Sequence, residues 1–100
     1  MRITPTVGRQ VWYRASTSDP IGDYGNFTPL AATVCYVHSD GRVNLQVLTA
    51  DGRAQPRLDV VLVQEDDPTP AAGGYCEWMP YQKMVAERDA AAVKEPFVQA

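Results

Sequence analysis

The chain has 100 residues, 45% of them apolar and 21% charged, with a net charge of −3 and a sequence pI near 4.9. That length suits one compact domain, which buries somewhat over ~60% of its unfolded surface without a disulfide or metal staple, and the composition excludes a chain that is disordered throughout. The acidic balance offers no uniform positive field to a phosphate backbone, which argues against duplex nucleic acid as a partner; nine Lys and Arg still allow a local cluster that holds one small anion.

Met1-Arg2-Ile3-Thr4-Pro5 lacks the apolar run of a signal peptide, and no stretch approaches the ~18 apolar residues of a membrane span. A cytoplasmic protein without a membrane partner is expected. In that compartment Cys35 and Cys76 are expected as free thiols.

Turn signals recur about every ten residues, the spacing of a small sandwich or barrel. Gln10–Arg14 is the first expected strand, rich in β-branched and aromatic side chains. Between Ala15 and Pro29 the breakers Asp19-Pro20, Gly22, Gly25-Asn26 and Pro29 predict a long loop, with Ile21, Tyr24 and Phe27 folding back onto the body. Ala31–His38 and Arg42–Thr49 read as a hairpin around Asp40-Gly41, because Asp-Gly accepts the positive φ of a two-residue turn. Counting outward from that turn places Tyr36 opposite Leu45, Val34 opposite Val47 and His38 opposite Val43. Cys35 then meets Gln46 and Val37 meets Asn44 on a more polar face.

Asp51-Gly52 repeats the motif. It brings Leu58 opposite Leu45 and Val60 opposite Val43, so that Tyr36, Leu45 and Leu58 are expected to share one interior. Pro56 cannot donate to a ladder and is expected at a strand start, bulge or free edge, with the strand proper over Leu58–Val63. Residues 64–74 form a second loop, Tyr75–Met79 a short last strand, and Gln82–Lys94 a helix or tail rich in helix formers. Five strands with a long first loop and tight central turns predict a mostly β chain. The expected form is a small SH3-like barrel over residues 1–80, with an OB-like barrel or small sandwich satisfying the same strand count, followed by a C-terminal helix or tail over 81–100.

Catalytic chemistry has little to work with. The single histidine, His38, sits three residues from Cys35 on one strand, so the two side chains project from opposite faces, and nothing identifiable orients the imidazole toward Cys76. Three unpaired candidate ligands, Cys35, His38 and Cys76, do not make a zinc site. Asp19 with Asp23, and Asp66-Asp67, lack calcium-loop spacing, and no phosphate-binding glycine motif occurs. No enzyme activity, metal or cofactor is expected.

The binding signal is aromatic. Trp12, Tyr13, Tyr24, Phe27, Tyr75, Trp78 and Tyr81 cluster on segments that adjoin in an SH3-like barrel. With Arg9, Arg14, Glu77 and Gln82 they predict a groove for a peptide, base or protein. The expected binding residues are Arg9, Trp12, Arg14, Tyr24, Phe27, Tyr75, Trp78 and Tyr81. One tryptophan is expected inside the barrel and the other at least partly exposed.

Pro5-Thr6-Val7-Gly8-Arg9-x-Val11-x-Tyr13, Ala31-Ala32-x-Val34, Val43-Asn44-Leu45 and Trp78-x-Pro80 form an ordered set. Over Pro5–Tyr81 that set resembles a group of small proteins of tailed bacteriophages and prophages. The resemblance implies a viral origin and a small β-fold, and it carries over no catalytic residues. Expression in a host cytoplasm would follow, with a host or viral protein as the first expected partner. The competing expectations are a virion or decoration component whose tail docks on a neighbouring subunit, and a small homo-oligomer that sequesters a nucleotide signal of host defence.

Overall fold

The computed structural model describes residues 2–21 and 28–94, with side chains through residue 89. It contains β1 (Gln10–Arg14), β2 (Leu30–Val37), β3 (Val43–Leu48), β4 (Ala54–Val63), β5 (Tyr75–Glu77) and α1 (Pro80–Lys94). The five strands close in sequence order into an SH3-like barrel. Strand direction alternates around the ring, and an odd number of strands cannot alternate without one exception. That exception is the parallel pair β4–β5, where Leu62 stands opposite Cys76; β5 then runs antiparallel to β1, with Tyr13 opposite Cys76. Each strand has a neighbour on both sides, but Ala54–Val60 of β4 pairs with β3 alone.

The period of two along each strand fills the interior. Val11 and Tyr13 of β1, Leu30, Ala32 and Val34 of β2, and Val43, Leu45 and Val47 of β3 all point inward, as do Val60 and Leu62 of β4 and Cys76 of β5. Trp78, just after β5, is 1% exposed and is the largest side chain that is fully buried. It closes the core, and Trp12 remains half-buried, so the two indoles divide as expected. The Trp78 Nε1–H has no hydrogen-bond partner among the described residues.

The central registers differ from expectation for a definable reason. Both hairpins turn through three residues instead of two: His38 N–H donates to the Arg42 carbonyl at 2.8 Å, and Thr49 N–H to that of Arg53 at 2.8 Å. Gly41 and Gly52 take φ of 90° and 87° at the third loop position, the left-handed residue of a three-residue turn. In each loop the aspartate carboxylate accepts from the backbone two residues on, Asp40 from Arg42 at 3.0 Å and Asp51 from Arg53 at 3.4 Å.

A bulge between Val34 and Tyr36 then moves β2 by one more residue, giving Val34 opposite Leu45, Ala32 opposite Val47 and Tyr36 opposite Asn44. A second bulge sets Leu58 and Asp59 against Asn44, with Asp59 at φ 54°. Val60 meets Val43 as expected, but Leu45 faces Arg57. The expected shared interior of Tyr36, Leu45 and Leu58 is therefore corrected. Leu45 is inside, whereas Tyr36 and Leu58 are 54% and 68% exposed, because each lies at a bulge that turns it outward.

The C-terminal helix begins two residues earlier than expected, with Pro80 in its first turn, where the missing N–H costs nothing. Gln82 accepts from the Met79 N–H at 2.9 Å, half of a capping box, and donates to the Gln10 carbonyl at 2.8 Å. That pair of bonds sets the start of α1 beside the start of β1. No described residue after Trp78 belongs to the buried core.

Candidate functional site

The alternation that sends Val11 and Tyr13 inward sends Gln10, Trp12 and Arg14 outward, and on β5 it sends Tyr75 and Glu77 outward around the buried Cys76. Register puts Trp12 across from Glu77 and Arg14 across from Tyr75. The outer face of β1 and β5 is thus a compact plate of Trp12, Arg14, Tyr75 and Glu77.

Arg14 organises this plate. Its Nε donates to the Glu77 carboxylate at 3.0 Å, and its guanidinium lies 5.5 Å from the centre of the Trp12 ring. The ring face attracts the cation while the carboxylate neutralises it, an arrangement that holds three long side chains in one geometry. Tyr81, in the first turn of α1, is 67% exposed, and the Gln82–Gln10 bond places that turn at the β1 end of the plate. Arg9 is exposed just before β1, where its carbonyl accepts from Val34 N–H at 2.8 Å.

Of the expected site residues, Trp12, Arg14 and Tyr75 share one outer face, with Arg9 and Tyr81 at its end. Trp78 does not belong to the surface: at 1% exposure it is core, because the step from Glu77 to Trp78 returns the side chain to the interior. Tyr24 and Phe27 lie outside the described residues.

Two features were not foreseen. The first joins the long loop to β4. Asp19 accepts from Tyr13 Oη at 2.8 Å, from Arg57 Nε at 2.8 Å and Nη2 at 2.6 Å, and from Ile21 N–H at 3.1 Å. The Arg57 hydrogen bonds hold the Asp19 carboxyl below its ordinary range against the opposing effect of burial. Burial, followed by the Asp19 hydrogen bond, pushes the Tyr13 phenol up to about 12. A cleft of about 410 Å³ opens beside this network, between Ile21, Thr49 and Arg57. Neither Tyr13 nor Arg57 follows a motif, so only the long-range register could have joined them.

The second is the anchoring of the N-terminal segment. The Gln64 side chain is buried and pairs with both backbone groups of Ile3, accepting from N–H at 2.6 Å and donating to C=O at 2.9 Å. Arg2 reaches Asp67 at 3.0 Å beside it, and a cleft of about 380 Å³ runs from there to Arg42.

Both clefts are lined by charges already matched in pairs. Arg2, Arg14, Arg42, Arg53 and Arg57 are each held by a carboxylate, respectively Asp67, Glu77, Asp40, Asp51 and Asp19. Cys76 is buried, which raises its thiol to about 12 and keeps it in the unreactive protonated form. No metal-binding group of three or more His, Cys, Asp or Glu occurs among the described residues. No helix among them is long and apolar enough to cross a membrane. No protein-family model, curated protein or solved structure matches the chain.

Proposed function

We propose that the chain is a non-enzymatic accessory protein of a tailed bacteriophage that binds a host or viral protein through the outer face of β1 and β5. One observation carries the binding reading: Trp12, Arg14 and Tyr75 stand together on the solvent side of a rigid sheet, where the core has no use for them. Tyr81 is 67% exposed at the end of that face. Trp, Tyr and Arg are the residues that dominate binding energy at protein interfaces, and a pre-ordered cluster loses little side-chain entropy on docking. The phage assignment rests on the sequence resemblance over Pro5–Tyr81.

A nucleotide-sequestering role draws less support. Arg14 would have to leave the Glu77 carboxylate to bind a phosphate, which leaves exposed Arg9 as the arginine of this face to hold one.

The test is capture of partner protein from phage-infected cells by the wild type and by a Trp12→Ala, Tyr81→Ala double variant. Neither side chain is fully buried, so the variant should melt within a few degrees of the wild type. It should recover at least about tenfold less partner, the equivalent of losing one modest hot spot. Undiminished recovery by a folded variant would remove this face from the proposal.

A further inference from the structure

Among the described residues Ala54–Val60 of β4 has a strand neighbour on one side only, since β5 joins it from Val61 onward. A run of this kind offers a row of backbone donors and acceptors to any extended chain, and Leu58, 68% exposed, adds apolar surface beside it. The alternation of the ladder settles which groups face outward. Thr49 N–H donates to the Arg53 carbonyl, and the pairing keeps that register as far as Leu45 opposite Arg57. Bonded pairs therefore fall at Thr49 with Arg53, Val47 with Gln55 and Leu45 with Arg57, and the backbone groups of Ala54 and Pro56 point to the open side.

At the centre of that side both kinds of group are withdrawn. Pro56 has no N–H, and it stands at the parity where its absence costs the barrel no ladder bond; at Gln55 or Arg57 a proline would break one. The Pro56 carbonyl accepts from Arg57 Nη1 at 2.7 Å. Arg57 is held for this, because its Nε and Nη2 are bonded to Asp19 at 2.8 Å and 2.6 Å, which leaves Nη1 over the strand edge. Farther along, the bulge ends the straight run: Asp59 takes φ 54° and turns its N–H to Asn44 Oδ1 at 3.0 Å.

We infer that Pro56 and the Asp19-held Arg57 close the open edge of β4 against strand addition, so that neither a second copy nor an extended segment of a partner lengthens the sheet there. The ion pair that ties the long loop to β4 thereby acquires a second task, presenting Nη1 to the edge. Partners are left to bind through side chains, and the inference stands whatever the plate of Trp12, Arg14 and Tyr75 binds.

Pro56→Thr restores the outward N–H without adding apolar surface. Gln55→Thr puts the same side chain one residue away, where the N–H already faces β3. Both positions are exposed, so both variants should melt within a few degrees of the wild type. Sedimentation of the full chain from about 10 µM to about 1 mM separates them. Gln55→Thr should sediment as the wild type does, and Pro56→Thr should form larger species as concentration rises. Adding Arg57→Lys to Pro56→Thr keeps a cation on Asp19 but removes the fork that spans both acceptors, and should bring association to lower concentration. Hydrogen exchange of the associated Pro56→Thr chain should show new protection at residues 54 and 56. The inference is overturned by a Pro56→Thr chain that sediments as the wild type does, by Gln55→Thr associating as strongly, by an added Arg57→Lys that leaves association unchanged, or by new protection that lies only outside β4.

Discussion

Gly73 shows how one missing methyl group fixes the way the barrel closes. Its φ is 80°, and a Cβ there would stand 2.4 Å from the Ala15 carbonyl oxygen, a backbone atom that cannot swing away. The approach brings Gly74 N–H to the Arg14 carbonyl at 2.7 Å and Thr17 N–H to that of Ala72 at 3.0 Å, which seats the crossover into β5 against the end of β1. Gly52 has a similar φ of 87° but open space around it. Gly52→Ala should therefore cost only the left-handed strain, about 1–2 kcal/mol, and Gly73→Ala clearly more, above about 2 kcal/mol, because strain and overlap add. Urea unfolding of the two variants checks the order, and equal losses would show that the close approach is relieved cheaply. The sequence marks Gly73-Gly74 as a loop, but the carbonyl that requires glycine comes from fifty-eight residues away and leaves no local signal. Trp78 makes the same point, since no count of aromatics separates a core indole from a surface one until the register is known.

At the scale of elements, the strands were legible where the alternation was strict. Gln10–Arg14 matches its expected bounds, and the inward faces of 30–34 and 43–47 follow from the β-branched and aliphatic pattern. The pairing was less legible because two one-residue changes, a longer turn and a bulge, each leave the sequence pattern of the strand intact while moving its partner. They restore the facing of Val34 and turn Tyr36 out.

The Asp19 network ties the first loop to β4, and its pH dependence follows from the signs. Asp19 is lowered from 3.8, so its contribution is full above that value and is lost as pH falls through the lower folded one. Tyr13 is raised from 10.0 to about 12, so its contribution is full below 10 and is lost as pH rises through about 12. Asp19→Asn should cost about 1–3 kcal/mol at neutral pH. That lies below the loss for a fully buried pair, because the Arg57 side chain is 26% exposed. The urea midpoint of the variant should also fall less than that of the wild type between pH 5 and 3. An equal fall in both would place the acid sensitivity elsewhere.

Helix α1 rests on the barrel through Gln82, and a lone helix of its length is marginal in water. Gln82→Ala, which removes the bonds to Met79 and Gln10, should lower far-UV helical signal while leaving barrel amides protected from exchange. Unchanged helicity would mean that α1 is held by contacts other than these.

For the molecule as a whole, closure of five strands has two consequences. The interior is filled by aliphatic side chains with Tyr13, Cys76 and Trp78, and each strand must display its alternate residues on the outside. What a strand displays is then open to a binding role, and on β1 and β5 that is Trp12, Arg14, Tyr75 and Glu77. Trp12 and Tyr75 were visible in the sequence as members of an aromatic set spread over the first strand, the first loop and the last strand. The inward turn of Trp78 was not, since it depends on a strand of only three residues.

A photo-crosslinking residue placed at Tyr81 tests the binding face most directly, with the same probe at exposed Asp66, on the loop before β5, for comparison. In infected cells position 81 should join one discrete partner protein, and the adduct should disappear when Trp12 is also changed to alanine, while position 66 gives none. Adducts from position 66 alone, or from 81 regardless of Trp12, would contradict a partner bound on the outer face of β1 and β5.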